Sequence, residues 1–432
     1  MEKRQFLKFN LITSAVALLQ GSLGASAFAQ SPVKIMVIGH AAHRSALVNE
    51  KRSDVVAEWV AKSKTKVEWL TLGVPEIHDR IFKEASLDSG AFDVAFLANR
   101  YISPKVATLF EPLDDLLLKF PVENMDDFPK GMLDTFTFNG KLYGIPFRQA
   151  TSGLLFNKAL LAERGLSGPP KTVNEFIEYA KKLTFTRPDG SKVYGLVTDG
   201  PGISQMIDLS RMYDGDLISL DMKLKVAEPG MIKGLTLLKE FYNSGVFPRE
   251  FVKFQTENVI SFMQQGRAAM AITPISRFTQ LNNPDSSRFP GQIVAAALPV
   301  SDELKAKYGF APVKSEFWVL AIPKNAKNKA ASWDFIKYAS TPDASLKAGL
   351  NGNGPVRRST LTDKKYRDSI PYAEAEAAAL RFARPPLPGW ENSSKVEDIF
   401  RDEVESMLIT ASKTPQETVT NIAKLVGPLL PK

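Results

Sequence analysis

The chain has 432 residues, of which 44% are hydrophobic and 24% charged, and it contains no cysteine. This length predicts two or more domains of a globular protein, and the lack of cysteine excludes disulfides, thiol nucleophiles and cysteine-bound metals. The formal net charge is +8, but basic residues are dispersed among acidic ones without a basic stripe, so we expect no nucleic acid as a partner.

The beginning of the chain has the pattern of a secretion signal. Lys3, Arg4 and Lys8 form a basic start, residues 11–23 form an apolar segment, and a small-x-small motif ends at Ala29. This pattern predicts cleavage after Ala29 and a periplasmic mature protein. Lys3 stands where a twin-arginine motif has its first arginine, so the Sec and twin-arginine export routes both stay open.

Strands and helices alternate after the signal. The predicted elements are strands at 33–39, 66–72 and 92–98 and helices at 45–62 and 76–88. This alternation predicts an α/β unit with a largely parallel sheet. Ligands of such sheets bind beyond the carboxyl ends of the strands. His40, Asn99, Arg100 and Tyr101 follow two of these strands and are therefore candidate binding residues.

The pattern changes after residue 147 and then returns. The later predicted elements are helices near 172–183, 232–242 and 254–265, strands at 192–198, 268–273, 292–298 and 317–323, and helices at 328–340, 371–382, 394–411 and 415–426. A helix-rich insertion into an α/β pattern predicts two lobes between which the chain crosses more than once. Several crossings form a hinge, on which two lobes can close around a ligand.

Residues 139–158, "NGKLYGIPFRQATSGLLFNK", hold the first predicted crossing. An Asn139-Gly140 turn leads into a strand that ends at Pro146, and a second strand covers Leu154–Phe156, with a polar stretch between the two. A surface hairpin and a passage between lobes both fit these residues. The change of pattern on either side favours the passage, with the polar residues lining the gap.

Catalytic motifs are not found in the sequence. The histidines His40, His43 and His78 belong to no metal-binding motif, and no nucleophile or phosphate-binding signature occurs in a suitable context. We therefore expect neither enzyme activity, nor a cofactor, nor a metal. Because carboxylates are plentiful, a secreted carbohydrate-active hydrolase stays open as an alternative.

Arginines and tryptophans are the stronger candidates for ligand binding. A guanidinium group offers a planar fork of donors that suits a carboxylate or a phosphate, and a tryptophan can stack on a sugar ring. Trp318 lies in a predicted strand, whereas Trp390 ends a proline-rich loop. The arginines at predicted loop positions are Arg44, Arg100, Arg148, Arg211, Arg277 and Arg357.

Five stretches of this sequence resemble family 1 extracellular solute-binding proteins. The segment "NGKLYGIPFRQATSGLLFNKALL" resembles the crossover segment of that family. The other stretches are "FDVAFLANR", "QQGRAAMAI", "FWVLAIPKNAKNKAASWDFIKYASTPDAS" and "GNGPVRRS". The resemblance implies a type II periplasmic-binding fold, in which two α/β lobes are joined by a multi-strand hinge. It also implies a carbohydrate ligand and the membrane permease subunits of an ABC importer as partners.

The resemblance further implies lobe boundaries and site residues. The expected division is a signal peptide at 1–29, an N-terminal lobe at 30–147 plus 268–315, and a C-terminal lobe at 148–267 plus 316–432. The expected ligand-binding residues are His40, Asn99, Arg100, Tyr101, Arg148, Gln149, Thr151, Ser276, Arg277, Glu316, Phe317, Asn353 and Trp390. We expect a monomer.

Two departures from the family pattern bear on the ligand. Residues 273–277 lack the tryptophan that many members carry there, and residues 315–317 replace a Gly-Gly pair by Ser-Glu-Phe. These changes favour a small or acidic ligand such as a sugar acid, while a neutral mono- or oligosaccharide stays open. A sensory binding protein that docks to a membrane receptor also fits the resemblance.

Overall fold

The computed structural model describes residues 33–87 and 90–431 of the chain. The predicted signal peptide and its cleavage after Ala29 lie outside the described residues. The strands are β1 (Lys34–Gly39), β2 (Lys66–Thr71), β3 (Val94–Ala98), β4 (Thr137–Phe138), β5 (Lys141–Leu142), β6 (Ile145–Asn157), β7 (Phe185–Thr186), β8 (Lys192–Val197), β9 (Ala268–Pro274), β10 (Ile293–Ala296) and β11 (Ser315–Ala321).

The helices surround these strands. Those before β9 are α1 (Ala41–Leu47), α2 (Val55–Ser63), α3 (Val74–Ala85), α4 (Pro104–Ala107), α5 (Asp114–Lys119), α6 (Lys130–Thr135), α7 (Lys158–Glu163), α8 (Val173–Lys182), α9 (Ile203–Arg211), α10 (Pro229–Asn243) and α11 (Thr256–Gln264). Those after β9 are α12 (Phe278–Leu281), α13 (Asp302–Tyr308), α14 (Lys329–Ala339), α15 (Pro342–Leu350), α16 (Arg358–Thr362), α17 (Lys364–Ser369), α18 (Ala373–Leu380), α19 (Ser393–Ile409) and α20 (Pro415–Val426). The predicted mixed α/β class is confirmed.

The first three long strands form the parallel unit that the sequence predicts. β1 pairs in parallel with both β2 and β3, and every residue of β3 is buried. A strand that is covered on both faces carries a continuous apolar run, which explains the composition of β3. Because β1 and β3 run in the same direction, His40 and Asn99 follow them at one edge of the sheet.

The predicted helix over 45–62 is two helices in the structure. Val48 has an extended backbone after α1, and α2 begins at Val55 behind its N-cap residue Asp54, whose carboxylate accepts a hydrogen bond of 2.7 Å from the Ala57 N–H. An aspartate that caps a helix in this way satisfies one of its free N–H groups and starts a new helix. The apolar periodicity continued across this break and concealed it.

The Asn139-Gly140 turn between β4 and β5 is confirmed. Both residues have positive φ angles, 51° and 73°, and β4 pairs with β5 in antiparallel fashion. Two-residue hairpin turns of this kind need positive φ at both positions, which Asn-Gly sequences tolerate best.

β6 differs from the prediction of two strands separated by a polar stretch. It is one continuous strand of 13 residues. Its first half pairs with β11, and its second half pairs with β9 and β10. The polar stretch stays extended because strands on its flanks satisfy its backbone groups, which local sequence does not reveal.

The buried apolar residues form two large clusters. The first core contains residues from 35–147 and 317–356, and the second core contains residues from 154–313 and 366–426. A smaller cluster around Leu155 lies on the other face of β6 from Leu154, because neighbouring strand residues face opposite ways. The chain crosses between the two cores along β6, before β11, and between Val356 and Tyr366.

The strand pairing differs from the predicted assignment of 268–315 and 316–432. β9 pairs with β8 and the second half of β6, which contribute to the second core, whereas 268–315 was assigned to the N-terminal lobe. β11 pairs with β3 and the first half of β6, so the chain after residue 316 first enters the first core. Short apolar strands look alike in sequence, so periodicity does not identify their partners.

Candidate functional site

A cleft of about 1450 Å³ lies between the first and second cores. On one side it is lined by residues that follow β1 and β3, among them His40 and Tyr101. On the other side it is lined by residues from 199–202, 252–257 and 274–284. β6 and β11, which run between the cores, contribute side chains to the cleft as well. A small solute in this position contacts both halves of the molecule at once.

Seven of the residues predicted from sequence line this cleft together. They come from the first core, from the second core and from the crossing strands, although they are far apart in the chain. These residues are His40, Arg100, Tyr101, Arg148, Ser276, Arg277 and Glu316.

The other six predicted residues are buried and do not line the cleft. Strand geometry explains part of this, because side chains alternate between the two faces of a strand. Arg148 and Ala150 of β6 line the cleft, so Gln149 and Thr151 face away from it. The six residues are Asn99, Gln149, Thr151, Phe317, Asn353 and Trp390.

Two buried asparagines hold the edge of the cleft in place. The Asn353 Oδ1 atom accepts a hydrogen bond of 3.1 Å from Arg148 Nη1, and its Nδ2 atom donates to the Phe147 carbonyl at 2.8 Å. The Asn99 Oδ1 atom accepts a hydrogen bond of 3.1 Å from the Phe317 N–H. Asn353 therefore orients a cleft arginine, and Asn99 fixes the end of β3 against β11.

Trp390, a predicted stacking residue, packs in the second core instead. Its indole N–H donates a hydrogen bond of 3.1 Å to the Leu429 carbonyl, and its side chain belongs to the second core. The ring faces inward and is buried rather than exposed to the cleft. Trp318, which the sequence places inside a strand, is the tryptophan at the cleft wall.

Arg148 enters the cleft from the crossing strand β6. Its Nη1 atom donates to Asn353 and its Nη2 atom donates to the Ser276 hydroxyl at 3.3 Å. In the described part of the chain, no carboxylate lies within 4.0 Å of its guanidinium group. Burial lowers the pKa of Arg148, although the more distant Tyr372 and Glu376 act in the opposite direction, and the charge of Arg277 adds to the lowering. Arg148 is thus a desolvated cation held by neutral partners.

Arg277 follows β9 and has a similar environment. Its Nη2 atom donates to the Thr256 hydroxyl at 3.2 Å, while its buried Nε atom has no hydrogen-bond partner. Burial lowers the pKa of Arg277, although the carboxylates of Asp199 and Glu257 act in the opposite direction from a distance. An unsatisfied buried donor is costly, so an acceptor that reaches this N–H group from the cleft would stabilise the side chain.

Arg100 differs because two carboxylates already neutralise it. Its Nη1 atom lies 3.8 Å from Glu316 and 3.5 Å from Glu397. Burial opposes its charge, but these carboxylates raise the pKa of Arg100 overall. Glu316 lies on β11, and Glu397 lies on α19 beside the second core. The Arg100 cluster therefore connects the two sides of the cleft.

His40 contributes a neutral ring at the cleft. Its Nδ1 atom accepts a hydrogen bond of 3.2 Å from the Ala42 N–H at the start of α1, so its Nε2 atom carries the proton. Burial lowers the pKa of His40, and the charges of Arg148 and Arg277 lower it further. The ring therefore offers an N–H donor without adding positive charge.

The sequence profile of the family described as "Bacterial extracellular solute-binding protein" matches residues 54–374 of this chain. This match covers most of the chain, including the crossing strands β6 and β11 and large parts of both cores. The chain belongs to this family. Members are binding proteins outside the cytoplasm, which agrees with a cleft between two lobes.

Individual relatives of this solute-binding protein are distant but align over most of their length. An arabinooligosaccharide-binding protein of Bacillus subtilis is 23% identical over 84% of this chain and 85% of its own. A Sinorhizobium fredii protein named "Probable amino-acid ABC transporter periplasmic-binding protein" is 21% identical over 86% and 84%. The solved structure of maltose-bound MalE3 of T. maritima superposes with a TM-score of 0.78, at 22% identity over 92% of this chain and 100% of its own. The predicted two-lobe fold is confirmed by this similarity.

Among the described helices of the solute-binding protein, none has the length and apolar character needed to cross a membrane. No group of three or more histidine, aspartate or glutamate side chains in the described residues is placed to hold a metal ion.

Several cleft residues were missed by the sequence analysis. Asp199 lies in the loop after β8, which pairs in parallel with β9. His40 and Asn99 were identified because they follow the carboxyl ends of parallel strands. The same rule, applied to β8, identifies Asp199. Lys314 and Glu257 also line the cleft. Lys314 precedes β11 and Glu257 lies in α11, and no local sequence signal marks either residue.

Three of the six singled-out arginines lie outside the cleft of this solute-binding protein. Arg44 is exposed on α1. Arg211 is buried and pairs with Asp216 at 2.8 Å. Arg357 is fully buried and donates to the carbonyls of Ser340, Glu123 and Asn124. Arginines at predicted loop positions therefore include an exposed residue and two buried structural donors as well as three residues of the cleft wall, and only the fold distinguishes them.

Proposed function

We propose that this solute-binding protein captures a small carbohydrate or carbohydrate-derived solute in the cleft and delivers it to the permease subunits of an ABC importer. The observation that carries the proposal is the position of the cleft, which lies between two separate cores at the place where the chain crosses between them. A solute there contributes contacts to both lobes, and such contacts favour the closed arrangement over an open one.

The crossing segments have the properties of a hinge. β6 and β11 stay paired from Ile145 to Thr151 along the passage between the cores, and the segment near Gly354 lies beside them, because the Gln149 N–H donates to the Gly354 carbonyl at 3.0 Å. A few residues at the ends of paired strands can absorb the rotation of two rigid lobes. Closure then leaves each core intact while the cleft narrows.

The names of the relatives support a carbohydrate ligand and an importer. One relative is named for an arabinooligosaccharide, and one structural neighbour contains maltose. The relative from Sinorhizobium fredii is named for amino acids and for an ABC transporter. These ligands are all polar molecules with hydrogen-bond donors and acceptors. Arginine, serine and histidine side chains of the cleft can form hydrogen bonds with such groups.

The proposal extends to the oligomeric state of the protein and to the compartment in which it acts. We propose that it acts as a periplasmic monomer after cleavage behind Ala29, and that it releases its solute chemically unchanged. Export is supported by the first residues of the chain, which have a basic start, an apolar segment and a small-x-small motif. Membership of a family of binding proteins supports release without chemistry.

A thermal-shift panel tests capture. The panel contains neutral sugars, sugar acids, sugar phosphates, polyols and amino acids, and a saturating ligand should raise the melting temperature, since binding to the folded state adds about 3 kcal/mol at a hundredfold excess over Kd. Recovery of the bound compound after incubation separates binding from hydrolysis. A released product would contradict the proposal and favour the secreted hydrolase.

Closure is measurable because the chain has no native cysteine. Asp115 lies exposed on α5 beside the first core, and Glu178 lies exposed on α8 beside the second core. Cysteines at these two positions carry a pair of fluorophores, whose energy transfer should change on addition of the ligand. Loss of solute uptake on deletion of the gene would support transport, whereas intact uptake with loss of a response to the solute would favour a sensory protein.

A further inference from the structure

The positive charges of the cleft are unequally compensated. Arg100 has Glu316 and Glu397 at 3.8 and 3.5 Å. Among the described residues, Arg148 and Arg277 donate only to neutral side chains, namely those of Asn353, Ser276 and Thr256. In the described residues neither of these two arginines forms an ion pair within 4.0 Å. The uncompensated charge therefore lies at one place in the cleft, near the crossing strand.

Arg148 and Arg277 are close enough to influence each other and the same neighbour. Arg148 contacts Ser276, the residue before Arg277, and both guanidinium groups act on the ring of His40. Placing two like charges together in a partly desolvated site is unfavourable unless an opposite charge completes it. Glu257 and Asp199 line the same cleft and act on Arg277 from a distance, but no carboxylate of the described residues lies within 4.0 Å of either guanidinium group.

The donor geometry of the pair suits an oxyanion. The Arg277 Nε atom is buried and without a partner, and both guanidinium groups line the cleft. Planar forks of N–H donors match the oxygen atoms of a carboxylate or phosphate better than they match single hydroxyl groups. His40 adds a neutral N–H donor on the opposite wall, which can contact a hydroxyl or another oxygen of the same molecule.

We propose that Arg148 and Arg277 together bind the oxyanion of the captured solute, so that the ligand of this protein is an acidic carbohydrate derivative, carrying either a carboxylate or a phosphate. This inference rests on the proposed function, since it names the class of solute that occupies the same cleft. Arg100, already paired with two glutamates, connects the lobes and does not contribute to selection of the anion.

Matched pairs of ligands test the inference. Galacturonate is compared with galactose, glucuronate with glucose, and a hexose phosphate with the unmodified hexose, by calorimetric titration at low and at high salt. The carboxylate and phosphate arms distinguish the two kinds of oxyanion. We expect an acidic compound to bind at least about tenfold more tightly than its neutral partner, and its affinity to decrease as salt increases.

Arginine variants locate the anion. Arg148→Gln and Arg277→Gln should each weaken binding of the acidic ligand about tenfold to hundredfold, because charge-assisted hydrogen bonds are lost. The control is Arg80→Gln, which removes the same charge from an exposed position on α3 where Arg80 pairs with Glu84. Circular dichroism checks folding, and Arg148→Lys, which keeps the charge but not the fork, provides a second variant if Arg148→Gln does not fold.

The outcomes separate the inference from the proposed function. Tighter binding of an acidic member, lost in both glutamine variants and retained in the control, supports the inference. Tighter binding of a neutral sugar, or equal affinity in all variants, overturns it and leaves the proposed function standing. If no sugar, sugar acid or sugar phosphate binds, the proposed function itself fails and the inference fails with it.

Discussion

The Gln149 amide donates a hydrogen bond of 2.9 Å to the carboxylate of Glu376, and this contact joins the crossing strand β6 to helix α18. The second carboxylate oxygen accepts from the Tyr366 hydroxyl at 2.6 Å. Gln149 in turn accepts from the Thr151 N–H at 2.8 Å, and Thr151 contacts the Ser315 hydroxyl at 2.8 Å. A fully buried polar network thus connects all three crossings of the proposed hinge.

Glu376 makes the stability of this network dependent on pH. Burial raises the pKa of Glu376 from 4.5 to about 7, although Tyr366 and Gln149 donate hydrogen bonds that act in the opposite direction. The folded state therefore binds a proton more strongly than the unfolded state does. The stabilising contribution of protonated Glu376 is fully present below pH 4.5 and is lost as the pH rises through about 7.

Glu376→Gln should remove this dependence, because a glutamine does not ionise in either state. We expect the variant to gain about 1 to 3 kcal/mol relative to the wild type between pH 4.5 and pH 8. Urea unfolding at several pH values measures the difference. Glu374→Gln on the same helix α18 is the control, since the Glu374 side chain is exposed. A constant difference between Glu376→Gln and the wild type at all pH values would contradict the prediction.

Gly354 allows the third crossing to approach β6 closely. A Cβ atom at this position would lie 2.0 Å from the Gln149 carbonyl oxygen. Gly354→Ala should therefore lower the free energy of unfolding by about 3 kcal/mol, because the backbone must shift to remove the overlap. It should also weaken ligand binding, since the shifted segment carries Asn353, which holds Arg148.

Gly131→Ala is the matched control for Gly354→Ala. Gly131 lies in α6, and a Cβ atom added there meets nothing within 4 Å. Alanine is a better helix former than glycine, so this variant should be more stable than the wild type by up to about 1 kcal/mol. Urea unfolding of both variants measures the effect. Equal midpoints for the two would show that the close approach at Gly354 does not matter.

The sequence predicted the elements well and the tertiary partners less well. The parallel unit of β1, β2 and β3, and with it His40 and Arg100 at one edge of the sheet, followed from apolar runs and the rule for strand ends. The partners of β9 and β11 did not follow, because periodicity describes the faces of a strand and not its neighbours. Side chains alternate between the two faces of a strand. Interpretation of the polar stretch as a strand would therefore have placed Arg148 and Gln149 on opposite faces of β6.

Trp390→Phe tests whether the indole is structural. The variant loses the hydrogen bond to the Leu429 carbonyl and leaves a small cavity, so we expect a loss of about 1 to 3 kcal/mol of stability. Its affinity for whichever panel compound gives the largest thermal shift should stay within about twofold of the wild type, since the ring does not line the cleft. A tenfold loss of affinity at unchanged stability would instead assign Trp390 to the binding site.

Arg357→Lys tests the interpretation of a buried arginine as a structural donor. Arg357 is fully buried, donates to the carbonyls of Ser340, Glu123 and Asn124, and pairs with Asp127 at 3.3 Å. A lysine keeps the charge but has three donors on one atom, so it leaves several of these carbonyl oxygens without a donor.

We expect Arg357→Lys to lose about 3 to 5 kcal/mol of stability, because buried acceptors left without a donor cost about 1 to 3 kcal/mol each. The neighbouring substitution Arg358→Lys is the control, because Arg358 is exposed and should change stability by less than about 0.5 kcal/mol. Thermal unfolding of the two variants side by side measures the difference. Ligand affinity at a temperature where Arg357→Lys is still folded should be unchanged, since the Arg357 side chain lies outside the cleft. A stable Arg357→Lys variant with impaired binding would reverse this assignment.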